Sequence, residues 1–432
     1  MPNLPQSNTD VPLFLRELFD LAVASAAPEN CLPDHLPTPP EGRTLLVAAG
    51  KAAASMAKAT EVNWPNDAPI SGYALTRYGH GSDCRTIEVI EAAHPVPDNR
   101  GYEAAIKLLA EVETLTAKDM LLFLVSGGGS SLLALPAEPL TLDDKKTVNH
   151  SLLMSGAPIG EMNAVRKHLS AIKGGRLAAA ASPAKIVTLA VSDVPHDDPS
   201  TIASGPTVPD ETTSKDAINI LEKYEIDAPE TVIEFLNSQE SETHKSTDPI
   251  FDGAEFQMIS TPTDMLESVV QQCEELSANV VSLGADLEGE AREIATTHAD
   301  LAWQFTSTTE THLILSGGEA TVTVEKGTEP GRGGRNCEFL LALAIELDGA
   351  ENVWALAADT DGIDGSEDNA GAVITPETLT RAQKLGIDAK DYLERHDSYS
   401  FFEKLGDLIK TGPTLTNVND FRAVFIASPD KP

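Results

Sequence analysis

The chain has 432 residues, 41% of them apolar and 5% aromatic, enough to bury more than one core, so two domains are expected. Its 67 acidic residues against 31 basic ones leave a formal charge of -36, which excludes a nucleic acid or an anionic membrane as partner and requires local cations wherever an anionic ligand binds. Cys31, Cys84, Cys273 and Cys337 form no C-x-x-C pair and no zinc spacing, no run of about 18 apolar residues would span a bilayer, and the N-terminus carries no basic leader, so a cytoplasmic, reducing location is expected.

In chain order, Asp10 followed by Val11 to Ala26 reads as a capped amphipathic helix and "LPDHLPTPPEGR" as a surface connector. Strand, glycine turn and helix then alternate: "TLLVAAG" leads to "KAAASMAKATEV", "MLLFLVSGGGSS" to a loop and a long helix, and "KIVTLAVSDV" to "SKDAINILEKY". Short apolar strands between helices predict an α/β fold whose mostly parallel sheet is covered on both faces. The polar run Ser238 to Asp252, "SQESETHKSTDPIFD", reads as a linker and divides the chain into residues 1–245 and 246–432. Beyond it the alternation resumes, so the second, smaller domain is α/β as well.

Ligands in such sheets bind beyond the carboxyl ends of the strands, and four loops stand at such ends. Ser126, Gly127, Gly128, Gly129, Ser130 and Ser131 offer backbone N–H groups and hydroxyls to an anion. They do not make a dinucleotide fingerprint, because Leu132 stands where a third glycine belongs, and "AAGKAAAS" supplies only the Gly-Lys of a Walker A sequence. Lys51 follows a strand directly and opens a helix, a phosphate-seeking placement. "LILSGGEATV", with Ser316, Gly317, Gly318 and Glu319, echoes the first Ser-Gly-Gly. Two such turns facing each other would hold one ligand from both sides.

Asp193 at a strand end is a candidate either to accept a hydroxyl proton or to hold a metal through water, while Asp197 and Asp198 read as turn and capping residues. In "NAVRKHLSAIKGGRLA", Arg166 suits a carboxylate or phosphate, and Lys173 and Arg176 read either as ligand contacts or as a helix end capped by Gly174. "TEPGRGGRNCEFLLALAIEL" sets Arg332 and Arg335 among Gly331, Gly333 and Gly334, with Asn336 at the mouth of a helix, an arrangement for bringing backbone and cations to an anion. "AADTDGIDGSEDNAG" clusters Asp359, Asp361, Asp364 and Asp368; lacking the EF-hand glutamate, it fits Mg²⁺ better than Ca²⁺, with Asp361 and Asp364 as metal ligands.

With "AAGKAAASMA", "LVSGGGSSLL", "NAVRKHLSAIKGGRLA", "VSDVPHDDPSTIASGPTVPD", "LSGGEATVTV", "GRGGRNCEFLLALA", "AADTDGIDG" and "TGPTLTNVNDFRAVF" in this order, the chain resembles the glycerate 2-kinase family, type II glycerate kinases whose C-terminal half is the MOFRL domain. The resemblance implies a Rossmann-like N-terminal domain, a C-terminal α/β domain and a cleft between them. There the γ-phosphoryl group of ATP, with Mg²⁺, would pass to the 2-hydroxyl of D-glycerate. It also implies Lys51 and Arg335 as cations at the phosphoryl group, Asp193 near the substrate, and small molecules as partners; the sequence leaves the oligomeric state open, a homodimer being one candidate. Some relatives carry the name hydroxypyruvate reductase, a reading opposed by the incomplete fingerprint. Two departures stand out: Cys337 replaces an expected Gln, which suggests an oxidation-sensitive site, and His196 replaces a frequent Gly.

Overall fold

The computed structural model describes residues 2–428 apart from 325, 326 and 328. The chain divides into two compact units, residues 28–259 and residues 1–27 with 260–432. No described helix is long and apolar enough to cross a membrane.

Residues 28–259 build a six-stranded sheet from β1 (Thr44–Ala49), β2 (Ile70–Arg77), β3 (Ile87–Ala92), β4 (Met120–Val125), β5 (Lys185–Val191) and β6 (Glu255–Ser260), in the order β3-β2-β1-β4-β5-β6. The first five run parallel, and every residue of β1 and β4 is buried, as strands covered on both faces require. The expected Rossmann-like sheet is therefore present. Its order reverses between β1 and β4, whose final residues Ala49 and Val125 are register partners, so the loops following them share the crevice where such sheets take ligands. A separate apolar cluster, including Val148, Leu152, Val165, Leu169, Leu221 and Phe235, joins the helices Leu142–Met154, Ile159–His168, Ser214–Lys223 and Glu230–Leu236.

The polar run expected to be a linker belongs to this unit. Arg176 Nη2 donates to the carbonyls of Glu240, Ser241 and Glu242 at 2.9, 3.0 and 3.0 Å, and Thr243 and Phe251 lie where a Cβ on Gly174 or Gly175 would fall. A backbone satisfied in this way needs few apolar anchors. The division falls after 259 rather than at 245, and residues 1–27 join the other unit.

That unit carries β7 (Asn279–Ser282), β8 (Leu287–Glu290), β9 (His312–Thr321), β10 (Val353–Asp359), β11 (Gly371–Ile374), β12 (Leu408–Ile409) and β13 (Asp420–Ile426), ordered β12-β11-β10-β13-β9-β7 with β8 also on β9. It is a mixed sheet: β9 to β13 pair antiparallel, whereas β7 and β8 run parallel to β9. Alternation along β13 sorts its side chains. Phe421 and Phe425 meet Phe19 and Phe14 of the helix Val11–Ser25, ring centroids 6.3 and 5.8 Å apart, which explains why the N-terminal segment joins this unit. Val424 and Ile426 enter the core containing Phe339 and Leu340 of the helix Arg335–Leu347.

Candidate active site

At the switch point of the first sheet, the turns after β1 and β4 are bonded to each other. Lys51 N donates to Gly127 O at 2.8 Å, Ser126 N to Ala49 O at 3.0 Å, and Ala52 N to Ser126 Oγ at 3.0 Å. Gly50 and Gly128 have φ of 132° and 81°, and a Cβ on Gly128 would lie 2.8 Å from His94 Nε2 and 3.6 Å from Lys51 Cγ. Close approach thus requires glycine here, and Lys51 is brought against the Gly127–Ser131 turn. The stretch that follows forms a single helical turn, Gly129–Leu132, then a loop, and the expected long helix is Leu142–Met154.

β5 ends at Val191, and Asp193 follows two residues later. The loop beyond it is strained: His196, Asp197, Ala203 and Ser204 have φ of 60°, 53°, 49° and 61°, left-handed values that favour glycine. The value at His196 fits the glycine expected there from the resemblance. Asp198 accepts from Ser200 N at 3.0 Å and from the hydroxyls of Ser200 and Thr201 at 2.8 Å each, the turn role expected of it.

The basic run divides by function. The helix Ile159–His168 ends before Gly174 and Gly175, which precede the next helix, Arg176–Ala181, so Gly174 is not a helix cap, and Arg176 is spent on the polar strap. Lys167 is buried against Asp210 at 3.2 Å. Arg166 donates to Asn149 and Asn163, and Lys173 Nζ reaches Ser130 Oγ at 2.6 Å. These last two point back toward the glycine turn.

In the other unit Arg335 stands among acids rather than alone. Its Nε donates to Asp420 Oδ1 at 2.8 Å, Nη1 to Glu319 Oε1 at 2.6 Å and Nη2 to Asp359 Oδ2 at 3.0 Å. Although burial opposes its charge, Asp420, Asp359 and Glu319 hold the guanidinium pKa well above its ordinary value. Asp420, fully buried, also accepts from Asn336 Nδ2 at 2.7 Å and from Arg422 Nη2 at 2.5 Å. Asp420 and Arg422 were missed by sequence reasoning, although "TNVNDFRAVF" carries them: a charged pair in an apolar strand is the available signal.

The mouth of the helix is already occupied. Asp364 Oδ1 and Oδ2, expected from the sequence to face a metal, accept from the backbone N–H of Asn336 and Cys337 at 2.9 Å each, so this carboxylate caps the helix Arg335–Leu347. Gly333 and Gly334 are needed for close packing: a Cβ on them would meet Ser398 Oγ at 2.4 Å and Asp364 Oδ1 at 2.3 Å. Arg332 is tied to Glu367 at 2.6 Å and lies 4.1 Å over the Tyr399 ring. Cys337 is fully buried and its thiol is pushed well above the ordinary value, first by burial and then by Asp364, which removes the oxidation-sensitive reading.

The second Ser-Gly-Gly is no turn. Ser316, Gly317 and Gly318 lie inside β9; Ser316 Oγ is 2.9 Å from His298 Nε2, and a Cβ on Gly318 would strike Leu287 O at 2.2 Å. The glycine admits β8, so the expected pair of facing turns is absent. Asp361 Oδ1 accepts from Ile363 N at 2.8 Å, and among the described residues no group of three or more His, Cys, Asp or Glu is arranged to hold a metal.

The MOFRL family model matches residues 312–420, and a second, a domain of unknown function (DUF4147), matches residues 14–237. D-glycerate 2-kinase of Thermotoga maritima is 39% identical over 94% of this chain and 95% of that protein. The chain belongs to the MOFRL family of glycerate 2-kinases. A solved glycerate kinase from Thermotoga maritima superposes with a TM-score of 0.86 at 36% identity, covering 97% of this chain and 100% of that one. Within this family naming varies: a putative hydroxypyruvate reductase of Agrobacterium vitis is 50% identical over 95% of this chain and 94% of that protein.

Proposed function

We propose that this member of the family transfers the γ-phosphoryl group of ATP to the 2-hydroxyl of D-glycerate, giving 2-phosphoglycerate and ADP. The observation that supports it most is the bond from Lys51 N to Gly127 O, which sets Lys51 against a glycine turn at the sheet's switch point. Phosphoryl transfer needs such positioning and charge neutralisation more than covalent help. The turn's N–H groups and Lys51 would hold phosphate oxygens. Asp193 would take the 2-hydroxyl proton as the new O–P bond forms and the bond to ADP breaks.

In the other unit, Arg335 would exchange its outermost partner, Glu319, for a phosphate oxygen. Mg²⁺ held mainly by ATP needs only one or two protein carboxylates, and the end of β10 offers such hard donors in Asp359 and Asp361, with Asp361 the residue to hold it. Bound there, the ion would offset phosphate charge.

A reductase reading is favoured by relatives named hydroxypyruvate reductase, and the strand order β3-β2-β1-β4-β5-β6 is one that dinucleotide-binding sheets use. The first turn argues against it, because Gly50 is followed by Ala52 and Ser55 where the fingerprint has two more glycines. Purified protein with D-glycerate and ATP should release ADP, with phosphorus NMR of the product reporting 2-phosphoglycerate. Consumption of NAD(P)H with hydroxypyruvate, and no ADP release with glycerate, would overturn the kinase.

A further inference from the structure

Behind the glycine turn of residues 28–259, three cations gather without an acid. Lys145 and Lys173 are 3% and 2% exposed, and Arg166 is half-buried. Lys145 and Asn149 share one face of the helix Leu142–Met154, and Asn163 and Arg166 one face of the helix Ile159–His168. The two faces meet: Arg166 Nε donates to Asn149 Oδ1 at 3.2 Å and Nη1 to Asn163 Oδ1 at 3.4 Å. From Asn163 a polar chain continues, with the Ser204 hydroxyl 3.4 Å from Asn163 Oδ1 and 2.9 Å from Ser130 Oγ. Lys173 Nζ closes it on Ser130 O at 2.5 Å and Oγ at 2.6 Å. Ser204 is held in this chain at φ 61°, a conformation a serine adopts only under constraint.

Neighbouring Lys167 marks the contrast, since it is equally buried but has Asp210. Among the described residues no carboxylate lies within ion-pair distance of Lys145, Arg166 or Lys173. Burial, then Arg166 and Arg176, pushes the Lys145 ammonium down to about 7, and burial, then Lys145 and Arg166, pushes Lys173 well below its ordinary value. Arg166 Nη2 has only the Met162 thioether, at 3.9 Å, as a side-chain acceptor. Strong donors facing a weak acceptor, in a buried net positive site, call for an anion.

We propose that Arg166 and Lys173, linked through Ser130, Ser204 and Asn163 and backed by Lys145, bind the carboxylate of the hydroxy-acid acceptor. This rests on the glycerate kinase reading above and extends it. A planar carboxylate suits the guanidinium fork, and Ser130 directly follows Gly129 of the turn assigned to phosphate. The acceptor would thus be anchored by its carboxylate one residue from the group it attacks.

Wild type, Arg166→Met, Arg166→Lys, Lys173→Met and Ser204→Ala would be compared by steady-state kinetics and by thermal-shift titration with D-glycerate and with inorganic phosphate. Arg166→Met and Lys173→Met should raise the KM for D-glycerate at least ~30-fold, the lower range for breaking a buried charge pair, with the KM for ATP unchanged and partial recovery in Arg166→Lys. D-glycerate should raise the melting temperature of wild type but not of these variants, and ligand-free Lys173→Met should melt no lower than wild type, having lost a buried amine that no acid partners. An unchanged KM for glycerate, stabilisation by phosphate in place of glycerate, or ligand-free variants that melt far lower yet bind glycerate normally would overturn the pocket. Glycerate binding that Arg166→Met abolishes, in a protein that turns over no ATP, would keep the pocket and sink the kinase.

Discussion

Arg335 and Asp364 carry opposite charges for opposite reasons, and mutation separates them. Removing Arg335 leaves buried Asp420 and Asp359 beside Glu319 with a cation gone. Arg335→Ala should therefore cost about 3–5 kcal/mol of stability in urea unfolding, in addition to the ~100-fold or greater loss of kcat expected of a cation at the transferring group. Lys51→Ala should show a kcat loss of similar size; near-normal glycerate-dependent ADP release in either variant would refute the assignment. Asp364 touches two helix N–H groups, so Asp364→Ala should lower stability by about 1–2 kcal/mol. It should leave the Mg²⁺ concentration for half-maximal activity unchanged, whereas a metal ligand would shift it. Cys337 should resist thiol reagents in the folded protein and react once denaturant is added.

The pairs of elements that hold Lys145 and Arg166 give the fold a pH signature. With the folded pKa of Lys145 lowered to about 7 from 10.5 by burial, then Arg166 and Arg176, the unfolded chain binds more protons between those values, so this group's contribution makes ligand-free protein more stable as pH rises through that window. Urea unfolding at pH 7 and pH 9 should show the gain, and Lys145→Met should diminish it. None of this was legible beforehand, because Lys145 and Asn149 look like any polar helix face until a second helix is laid on them. What was legible follows the same logic in reverse. β1, β4 and β5 are covered on both faces, so their apolar runs announced a parallel sheet, and the glycines after β4 announced its turn. The Ser-Gly-Gly of β9 misled because glycine serves close backbone approach as well as turning, and only the partner strand β8 distinguishes the two. The polar strap misled because its carbonyls are satisfied by Arg176, more than sixty residues away in sequence.

On the scale of the whole chain, the formal charge of -36 sets a repulsive background against which every local cation works. The buried cations do not cancel it, since Arg335 and Lys167 are neutralised by their own acids and Lys145, Arg166 and Lys173 lie away from the surface carboxylates that dominate the count. Repulsion among exposed charges acts over a Debye length of about 30 Å at 0.01 M salt and about 3 Å at 1 M. Raising NaCl across that range should therefore raise the melting temperature, by screening repulsion more than it weakens the exposed ion pairs, which contribute about 0–1 kcal/mol each. Buried pairs such as Lys167 with Asp210 are screened little and should survive the change. Sodium and potassium chloride should act alike if screening is the cause. A melting temperature that falls with salt would mean that exposed ion pairs, not self-repulsion, govern the surface electrostatics.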